Sequence, residues 1–281
     1  MAVKTIKKKN VKKRELTFES PSFYERLKSM LGVDFYRLFH TPMFYIFLAV
    51  AAIIPAMILS MTSTAEGAQP LYTNTWNIVA ADTPLYVVNQ IGDYANMNMV
   101  FIFGGIMVSI FIGHDYKSGY VKQLFTTHAK KSDYMMSKSL TCAFAMASMC
   151  VTYLMGGTMA GIISGTSMSV NAGSLLLAIL GKMVMSLGWA SLYTFLNVIF
   201  RRYFGISIAS SFLLGTGLPI IGAAAIMGNS SALNIFLYGS SVYACLASNI
   251  VTLIVCIVVS AAWAVIYNAL GTFVLSHSDV Y

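Results

Sequence analysis

The sequence predicts an all-α protein that crosses a membrane six times, and three observations support this fold class. Of the 281 residues, 57% are hydrophobic and only 10% are charged, whereas about 25% charged residues are usual in a soluble domain. A run of about 20 apolar residues spans the hydrocarbon layer of a bilayer. Six runs approach or exceed that length, and the basic residues lie to one side of them. The predicted spans are 43–62, 97–113, 134–162, 174–199, 203–227 and 248–275.

The positive charges predict the orientation of these spans. Ten of the 18 Lys and Arg residues precede residue 43, five lie within 114–138, and two form the Arg201-Arg202 pair. Positive residues that flank spans stay on the cytoplasmic side, so both termini and the 114–133 loop are expected inside. The stretches between the other span ends carry no Lys or Arg. This distribution indicates a multi-pass protein of the cell membrane, in which the basic residues do not serve nucleic-acid binding.

The N-terminal region is predicted to have two parts before the membrane domain of residues 42–281. Residues 1–20 form a polybasic tail, which is expected near anionic lipid headgroups. Ser22 and Glu25 have the spacing of a capping box, so a helix over 21–41 is expected to lie on the inner leaflet. Pro42 suits the first turn of span one. The side chains of this interfacial helix that are expected to make contacts are Phe23, Arg26, Leu27, Leu31 and Arg37.

Two further stretches predict packing or irregular backbone within the membrane. Gly157, Gly161 and Gly165 recur every four residues, a spacing that lets two membrane helices approach closely. From Pro219, an apolar stretch interrupted by polar residues leads to the last span. It is too apolar for a free loop and too broken for a span, so a re-entrant segment is expected there.

Met97, Met99 and Lys182 are candidates for a translocation pathway. Met side chains form adaptable apolar surfaces, although lipid-facing or packing roles would explain both Met residues equally simply. Lys182 lies about two turns into span four, where a charge is costly unless it reaches the headgroups or faces water. The sequence leaves both placements of Lys182 open.

Several kinds of chemistry have no counterpart in the sequence. No carboxylate lies within spans two to six, although proton- and sodium-coupled carriers generally use one there. Gly181-Lys182 does not complete a phosphate-binding loop, because Leu176 replaces the first glycine and Met183 the hydroxyl residue. The four Cys residues lie in apolar segments without CxxC spacing, and no metal site is predicted. We therefore expect neither enzymatic activity nor a cofactor bound by this chain.

The polar stretch HDYKSGYVKQLFTTHAKK at 114–131 carries the most specific pattern. It contains an acid, a glycine four residues later, an apolar-aromatic pair and two basic residues, and a lysine follows in span three. These are Asp115, Gly119, Leu124-Phe125, Lys130-Lys131 and Lys138. The pattern resembles the first cytoplasmic loop of type 2 ABC transporter permeases, and six spans with an interfacial helix before the first are similar too. Tyr120 and His128 depart from the family pattern, which has a small hydroxyl residue and a proline there.

The resemblance implies a permease subunit of an ATP-driven bacterial exporter. In that family this loop carries a short coupling helix that docks on a separate ATPase subunit, which holds ATP and Mg²⁺. The interfacial helix contributes to the same contact, and two permease chains, here expected to be identical, pair with two ATPases. Peptides, antibiotics or other hydrophobic compounds are the implied substrates. The docking residues implied here are Asp115, Tyr116, Gly119, Tyr120, Lys122, Leu124, Phe125, Lys131 and Lys138.

Two alternatives come from other classes of protein. An ATPase-independent secondary carrier or channel would share the spans and the charge bias, but it would purify without an ATPase. A membrane enzyme or assembly scaffold would also share them, although the sequence contains no recognisable catalytic constellation.

Overall fold

The computed structural model describes residues 21–62, 91–126, 129–163, 172–217, 234–245 and 250–277. Within this part of the chain there are nine α-helices. They are α1 (Phe23–His40), α2 (Pro42–Thr62), α3 (Ile91–Lys117), α4 (Tyr120–Thr126), α5 (Lys131–Ile163), α6 (Ala172–Ile199), α7 (Phe204–Gly215), α8 (Leu237–Cys245) and α9 (Ile250–Ser276).

Four of these helices are long and apolar enough to cross a membrane, in α3, α5, α6 and α9. A fifth span results if α1 and the first part of α2 are counted together, although the two helices meet at a 65° bend. The all-helical membrane character is therefore confirmed. The described residues contain four to five spans, and the predicted number of six is not confirmed. Of the predicted span 203–227, the structure describes residues 203–217, in which α7 has 12 residues.

Some predicted features lie outside the described residues. They are the polybasic tail 1–20, residues 63–90 of the outer loop expected over 63–96, His128, Gly165 and residues 219–233 of the re-entrant segment expected over 219–243. Met97 and Met99 belong to α3, in a part whose side chains are not described.

The first helix begins and ends where local sequence signals place its boundaries. The Ser22 hydroxyl accepts a hydrogen bond from the Glu25 amide at 3.4 Å, and the Ser22 amide donates to the Glu25 carboxylate at 2.9 Å. This is the reciprocal capping box, which satisfies two amides at a helix start. At the other end, the residue before a proline is disfavoured in helical conformation, so α1 ends before Thr41-Pro42.

Aromatic rings fill the angle between α1 and α2. The Phe35 ring meets the Phe144 ring of α5 edge-on, with centroids 5.2 Å apart. Phe39 makes similar contacts with Phe44 and Phe144, at 5.7 Å and 6.0 Å. Such edge-to-face contacts add to the burial of the rings, so this aromatic cluster holds the bend in place.

Helix α6 occupies the centre of the bundle and packs against α3, α5, α7, α8 and α9. Trp189 stands between two other rings, with its centroid 5.5 Å from Phe101 of α3 and 5.5 Å from Tyr193. On the other side, α9 is only 22% buried, and its Val258 and Val265 side chains are 61% and 70% exposed. A face this apolar is stable in lipid, in keeping with the membrane character of the chain.

Four buried polar side chains of α3, α6 and α7 bond to one another. Ser207 donates to the Asn197 side-chain oxygen at 2.5 Å, and Asn197 donates to Ser109 at 3.2 Å. Ser109 also lies 3.1 Å from the Ser211 hydroxyl. Because no water reaches the hydrocarbon region, polar groups there need internal partners, and this network joins α3, α6 and α7.

The Ser260 hydroxyl of α9 bonds to the backbone of α6. Ser260 accepts a hydrogen bond from the Gly188 amide at 3.0 Å and donates to the Val184 carbonyl at 2.7 Å. Hydrogen bonds between membrane helices contribute about 0.6 kcal/mol on average and up to about 1.7 kcal/mol. We expect Ser260→Ala to lower the free energy of unfolding by about 1–2 kcal/mol, measured as a lower melting temperature of the purified chain in detergent.

The matched control is Ser148→Ala, because the Ser148 hydroxyl bonds to the Phe144 carbonyl of its own helix at 2.9 Å. It should leave the melting temperature nearly unchanged. Equal effects of the two substitutions would contradict the role of Ser260 in joining the helices.

The closest approach of two helix backbones shown by the glycine environments is at Gly156. A Cβ atom at Gly156 would overlap the backbone carbonyl of Ala52 in α2. The predicted packing residues Gly157 and Gly161 also lie in α5, and Gly157 is buried. The four-residue spacing thus predicted the correct helix. Gly156, which allows this close approach, was not among the predicted residues.

A candidate coupling site: the buried ion cluster and helix α4

Helix α4 lies between two spans at the end of the bundle where Lys117, Lys122 and Lys130 are exposed. We call this the basic end. Helix α3 runs to Lys117, and Ser118 and Gly119 form the turn into α4. Gly119 has a φ of 72°, in the left-handed region that L side chains rarely adopt. The glycine of the motif therefore sets the angle between the span and the short helix.

Beside this turn, side chains from α1, α3 and α5 form an ion cluster. We define the cluster as Asp34, Arg37, Asp115, Ser137 and Lys138.

Lys138 is shared between the two carboxylates of the cluster. Its Nζ lies 2.5 Å from Asp34 Oδ1 and 2.6 Å from Asp115 Oδ2. The other oxygen of Asp34 accepts a hydrogen bond from the Ser137 hydroxyl at 2.6 Å. The other oxygen of Asp115 accepts one from the Arg37 guanidinium. Three of the four carboxylate oxygens thus accept a hydrogen bond, and the fourth, Asp115 Oδ2, has only the ion pair with Lys138. The cluster joins three helices.

The cluster is buried and its formal charges balance. Asp34, Asp115 and Lys138 are 2%, 0% and 0% exposed, and with Arg37 they comprise two negative and two positive side chains. Burying charges carries a large desolvation cost, which is compensated only by good geometry and complete hydrogen bonding. A buried ion pair is for this reason weak evidence of stability but sensitive to the loss of one partner. The cluster fixes how α1, α3 and α5 are placed relative to each other.

Aromatic rings enclose the cations. The Lys138 Nζ lies 4.8 Å from the ring centroid of Phe111, 5.5 Å from that of Tyr120 and 5.6 Å from that of Tyr134. The guanidinium of Arg37 lies 4.3 Å from the centroid of the Tyr120 ring. A cation over a ring face is attracted by the ring quadrupole, more strongly when water is excluded. Tyr120 of α4 therefore covers the cluster from the basic end.

The environment keeps the Tyr120 phenol neutral. Burial raises the pKa of Tyr120, and the nearby Asp34 charge raises it further, while Lys138 and Arg37 act in the opposite direction. Tyr120 occupies the position at which the type 2 ABC permeases that this loop resembles have a small hydroxyl residue. Its ring is used within the chain, as a cover over the Arg37 guanidinium.

A second ion pair attaches the start of α1. Arg26 Nε donates to Asp133 Oδ2 at 2.7 Å, and the Asp133 side chain is 1% exposed. Nearby, Lys131 donates to the Leu275 carbonyl of α9 at 2.6 Å. The first turn of α5 thus contacts both α1 and α9.

Helix α4 is anchored by apolar contacts as well. Val121 is buried, and half-buried Leu124 and Phe125 pack on a cluster formed by Tyr134, Met135, Val198 and Leu275. The Phe125 ring meets the Tyr134 ring edge-on at 5.6 Å. Lys122, Gln123 and Thr126 make up the exposed side of the helix.

The structure brings the predicted docking residues together but gives them different roles. Asp115 and Lys138 are fully buried, so in this conformation they have no surface that a second protein could contact. Their ion pair positions the loop instead. Tyr116, Gly119, Tyr120, Leu124, Phe125 and Lys131 are half-buried, and Lys122 is exposed. Among the implied residues of α4 itself, Lys122 is therefore the one best placed for docking.

Helix α1 does not place its apolar residues on one side and its charged residues on the other, as a simple amphipathic helix would. Leu27 is buried and Leu31 half-buried, whereas Phe23 is 48% exposed. Arg26 and Arg37 turn towards the bundle, where each pairs with an aspartate. The arginines expected to contact membrane or partner thus serve mainly to attach α1 to α3 and α5.

Lys182 lies inside the bundle. Its side chain is 2% exposed, and its Nζ lies 5.3 Å from the ring centroid of Phe101. Of the two placements that the sequence left open, extension along the surface to the headgroups is therefore not the one adopted.

Sequence reasoning missed Asp34, Asp133 and Ser137. The helical spacing of α1 places Asp34 on the same face as Leu27 and Leu38, seven residues before and four after. An acid on an otherwise apolar face indicates a buried partner, since isolated charges are rarely buried. That signal was present in the sequence.

The described residues contain no group of three or more His, Cys, Asp or Glu side chains placed to hold a metal. Cys142, Cys150 and Cys256 are buried free thiols. Comparison with protein-family models, curated proteins and solved structures gives no match for this chain.

Proposed function

We propose that the chain is the permease subunit of an ATP-driven exporter of the type 2 ABC class, in which α4 docks on a separate ATPase subunit. The observation that carries this proposal is the attachment of α4. A short helix with an exposed polar side stands between two spans and is joined through the buried ion cluster to a third helix, α1. Such an element suits the transfer of movement from a docked protein to the spans.

The attachment makes α4 a rigid extension of the bundle. Its seven residues are too few for a stable isolated helix, because isolated helices shorter than about 12 residues are marginal in water. Val121 and Phe125 hold it on the bundle, and Tyr120 holds it on the ion cluster. A displacement of α4 would therefore move α1, α3 and α5 together.

The proposed docking surface consists of the exposed side chains Lys122, Gln123 and Thr126, together with Lys130 after the helix. Leu124 and Phe125, which the loop motif singles out, are less suitable for a test. Both pack on the bundle, so replacing them with charged residues would also disturb the fold.

The remaining parts of the proposal follow from the resemblance. Two identical chains would pair with two ATPase subunits, and ATP and Mg²⁺ would bind to those partners. Amphipathic peptides, antibiotics or other hydrophobic compounds are the proposed substrates. The basic end would face the cytoplasm of a bacterial cell, as the positive-inside rule favours.

The test is purification of the affinity-tagged full chain from its native membranes, with the copurifying ATPase quantified by mass spectrometry and by ATP hydrolysis. We expect a nearly equimolar ATPase with the native chain. For the double variant Lys122→Glu/Gln123→Glu we expect about a tenfold loss of copurified ATPase, equivalent to about 1.4 kcal/mol of binding free energy. The reason is that two acidic groups replace a cation and an amide on the exposed side of α4.

Ser276→Glu is the matched control, since Ser276 is exposed at the same end of the bundle on α9. It should retain the ATPase. If the native chain purifies without any ATPase and still transports in vesicles, the secondary-carrier or channel alternative would replace this proposal.

A further inference from the structure

The acidic side chains of the basic end are internal. Asp34, Asp115 and Asp133 are buried and paired with cations. Among the described side chains the exposed acid is Glu25, which accepts hydrogen bonds from Ser22. The exposed charged side chains at this end are otherwise Lys28, Lys117, Lys122, Lys130 and Arg202. The surface is therefore more cationic than the sequence composition indicates.

Some of these cations converge where α3 meets the turn between α6 and α7. The Lys117 Nζ lies 4.5 Å from the ring centroid of Phe204, and the same ring packs against Gly113 of α3. Arg201 interacts electrostatically with the Tyr116 phenol, and Arg202 beside it is exposed. Three cations from two chain segments are thus held at one edge of the bundle.

Exposed apolar side chains adjoin these cations. Ile199 at the end of α6 is 42% exposed, and Tyr203 and Ile206 beside α7 are 63% and 49% exposed. Further along α7, Phe212 and Leu213 are also exposed. The cations therefore cap a lipid-exposed apolar strip at the end of the spans. We call the cations and this strip together the basic-apolar edge.

We infer that the basic-apolar edge binds an anionic phospholipid, with its phosphate at Lys117, Arg201 and Arg202 and its acyl chains along Ile199 and Ile206. The inference does not depend on the proposed transport function. A phospholipid of this kind has a negative headgroup followed by two apolar chains. The edge has cations followed by apolar residues, so the two match from end to end. Cations at a membrane surface attract anionic lipids. An acidic protein would match the cations but would leave the isoleucines unpartnered.

The test uses the full chain reconstituted in vesicles of phosphatidylcholine with a minor amount of phosphatidylglycerol. Spin-labelled forms of the two lipids report, by electron paramagnetic resonance, the fraction of each lipid that is immobilised on the protein. We expect the native chain to prefer phosphatidylglycerol. Arg202→Gln should lower that preference by up to about fivefold, the upper range for one cation. The triple variant with Lys117→Gln and Arg201→Gln should remove most of it.

Lys122→Gln is the control, because it removes an exposed cation on α4 that has no exposed apolar strip beside it. Arg202→Lys, which keeps the charge, should retain the preference. Circular dichroism and size-exclusion chromatography verify that the variants fold, and Arg202→Gln alone decides the result if the triple variant does not fold.

An equal preference for phosphatidylglycerol in Arg202→Gln and Lys122→Gln would overturn the inference. The lipid would then be attracted by the positive charge of the whole surface and not by this edge. The inference would also be overturned if the edge variants lost a copurifying acidic protein while keeping the native lipid preference. Purification of the native chain without an ATPase would contradict the proposed function and leave this lipid result unaffected, so the two proposals fail separately.

Discussion

Replacing Lys138 with methionine should severely destabilise the protein. The change leaves Asp34 and Asp115 buried near each other with Arg37 as their remaining cation. Removing one partner of a buried ion pair costs about 3–5 kcal/mol, because the remaining charge stays buried without compensation. We expect a large drop in the melting temperature of the purified chain, measured by the loss of the monodisperse peak in size-exclusion chromatography after heating.

Two further variants show whether the charge itself is responsible. Lys130→Met removes an exposed lysine just before α5 and should have little effect. Asp34→Asn combined with Lys138→Met restores the charge balance between Asp115 and Arg37, so the double variant should be more stable than Lys138→Met alone. Coupling energies of about 0.5–3 kcal/mol are usual for side chains in one network. Additive losses in the double variant would contradict the ion cluster as described.

Replacing Gly156 with alanine should force α2 and α5 apart. The new methyl group would overlap the Ala52 carbonyl, and a backbone carbonyl cannot turn away as a flexible side chain can. Overpacking of this kind costs about 1–3 kcal/mol, which exceeds the gain of up to about 1 kcal/mol from replacing glycine in a helix. A lower melting temperature in the same heating assay is the expected result.

Gly32→Ala provides the opposite expectation for the same chemical change. No heavy atom lies within 4 Å of a Cβ atom at Gly32, which is exposed in the middle of α1. The alanine should therefore stabilise α1 or leave the melting temperature unchanged. If both alanine variants melted alike, the close approach of α2 and α5 at Gly156 would be refuted.

The features that the sequence predicted well depend on local chemistry. The start of α1 follows from Ser22 and Glu25, three residues apart, and its end follows from Pro42. Length and apolar composition identify α3, α5, α6 and α9 as spans. Each of these properties is determined within a few turns of the chain.

The features that the sequence predicted poorly depend on contacts between distant segments. Asp34 and Lys138 are 104 residues apart, and no local pattern indicates that they pair. Gly156, which was not among the predicted glycines, meets the Ala52 backbone, because the rotation of α5 against α2 is set by the packing of the whole bundle. Asp115 carries the resemblance to a docking motif, yet its burial depends on helices α1 and α5, which a motif does not include.

The distribution of charge on α1 has a consequence for the order in which the chain is assembled. Its charged stripe faces the bundle, while Tyr24 and Tyr36 on the outer side are 72% and 64% exposed. During synthesis α1 is made before α3 and α5: the partner of Arg37 is 78 residues further on and that of Asp34 is 104 residues further on. Until α5 has been translated, the ion cluster that contains these charges cannot form. Helix α1 therefore cannot reach its native position when it is made, and has to wait for α3 and α5 before it can dock.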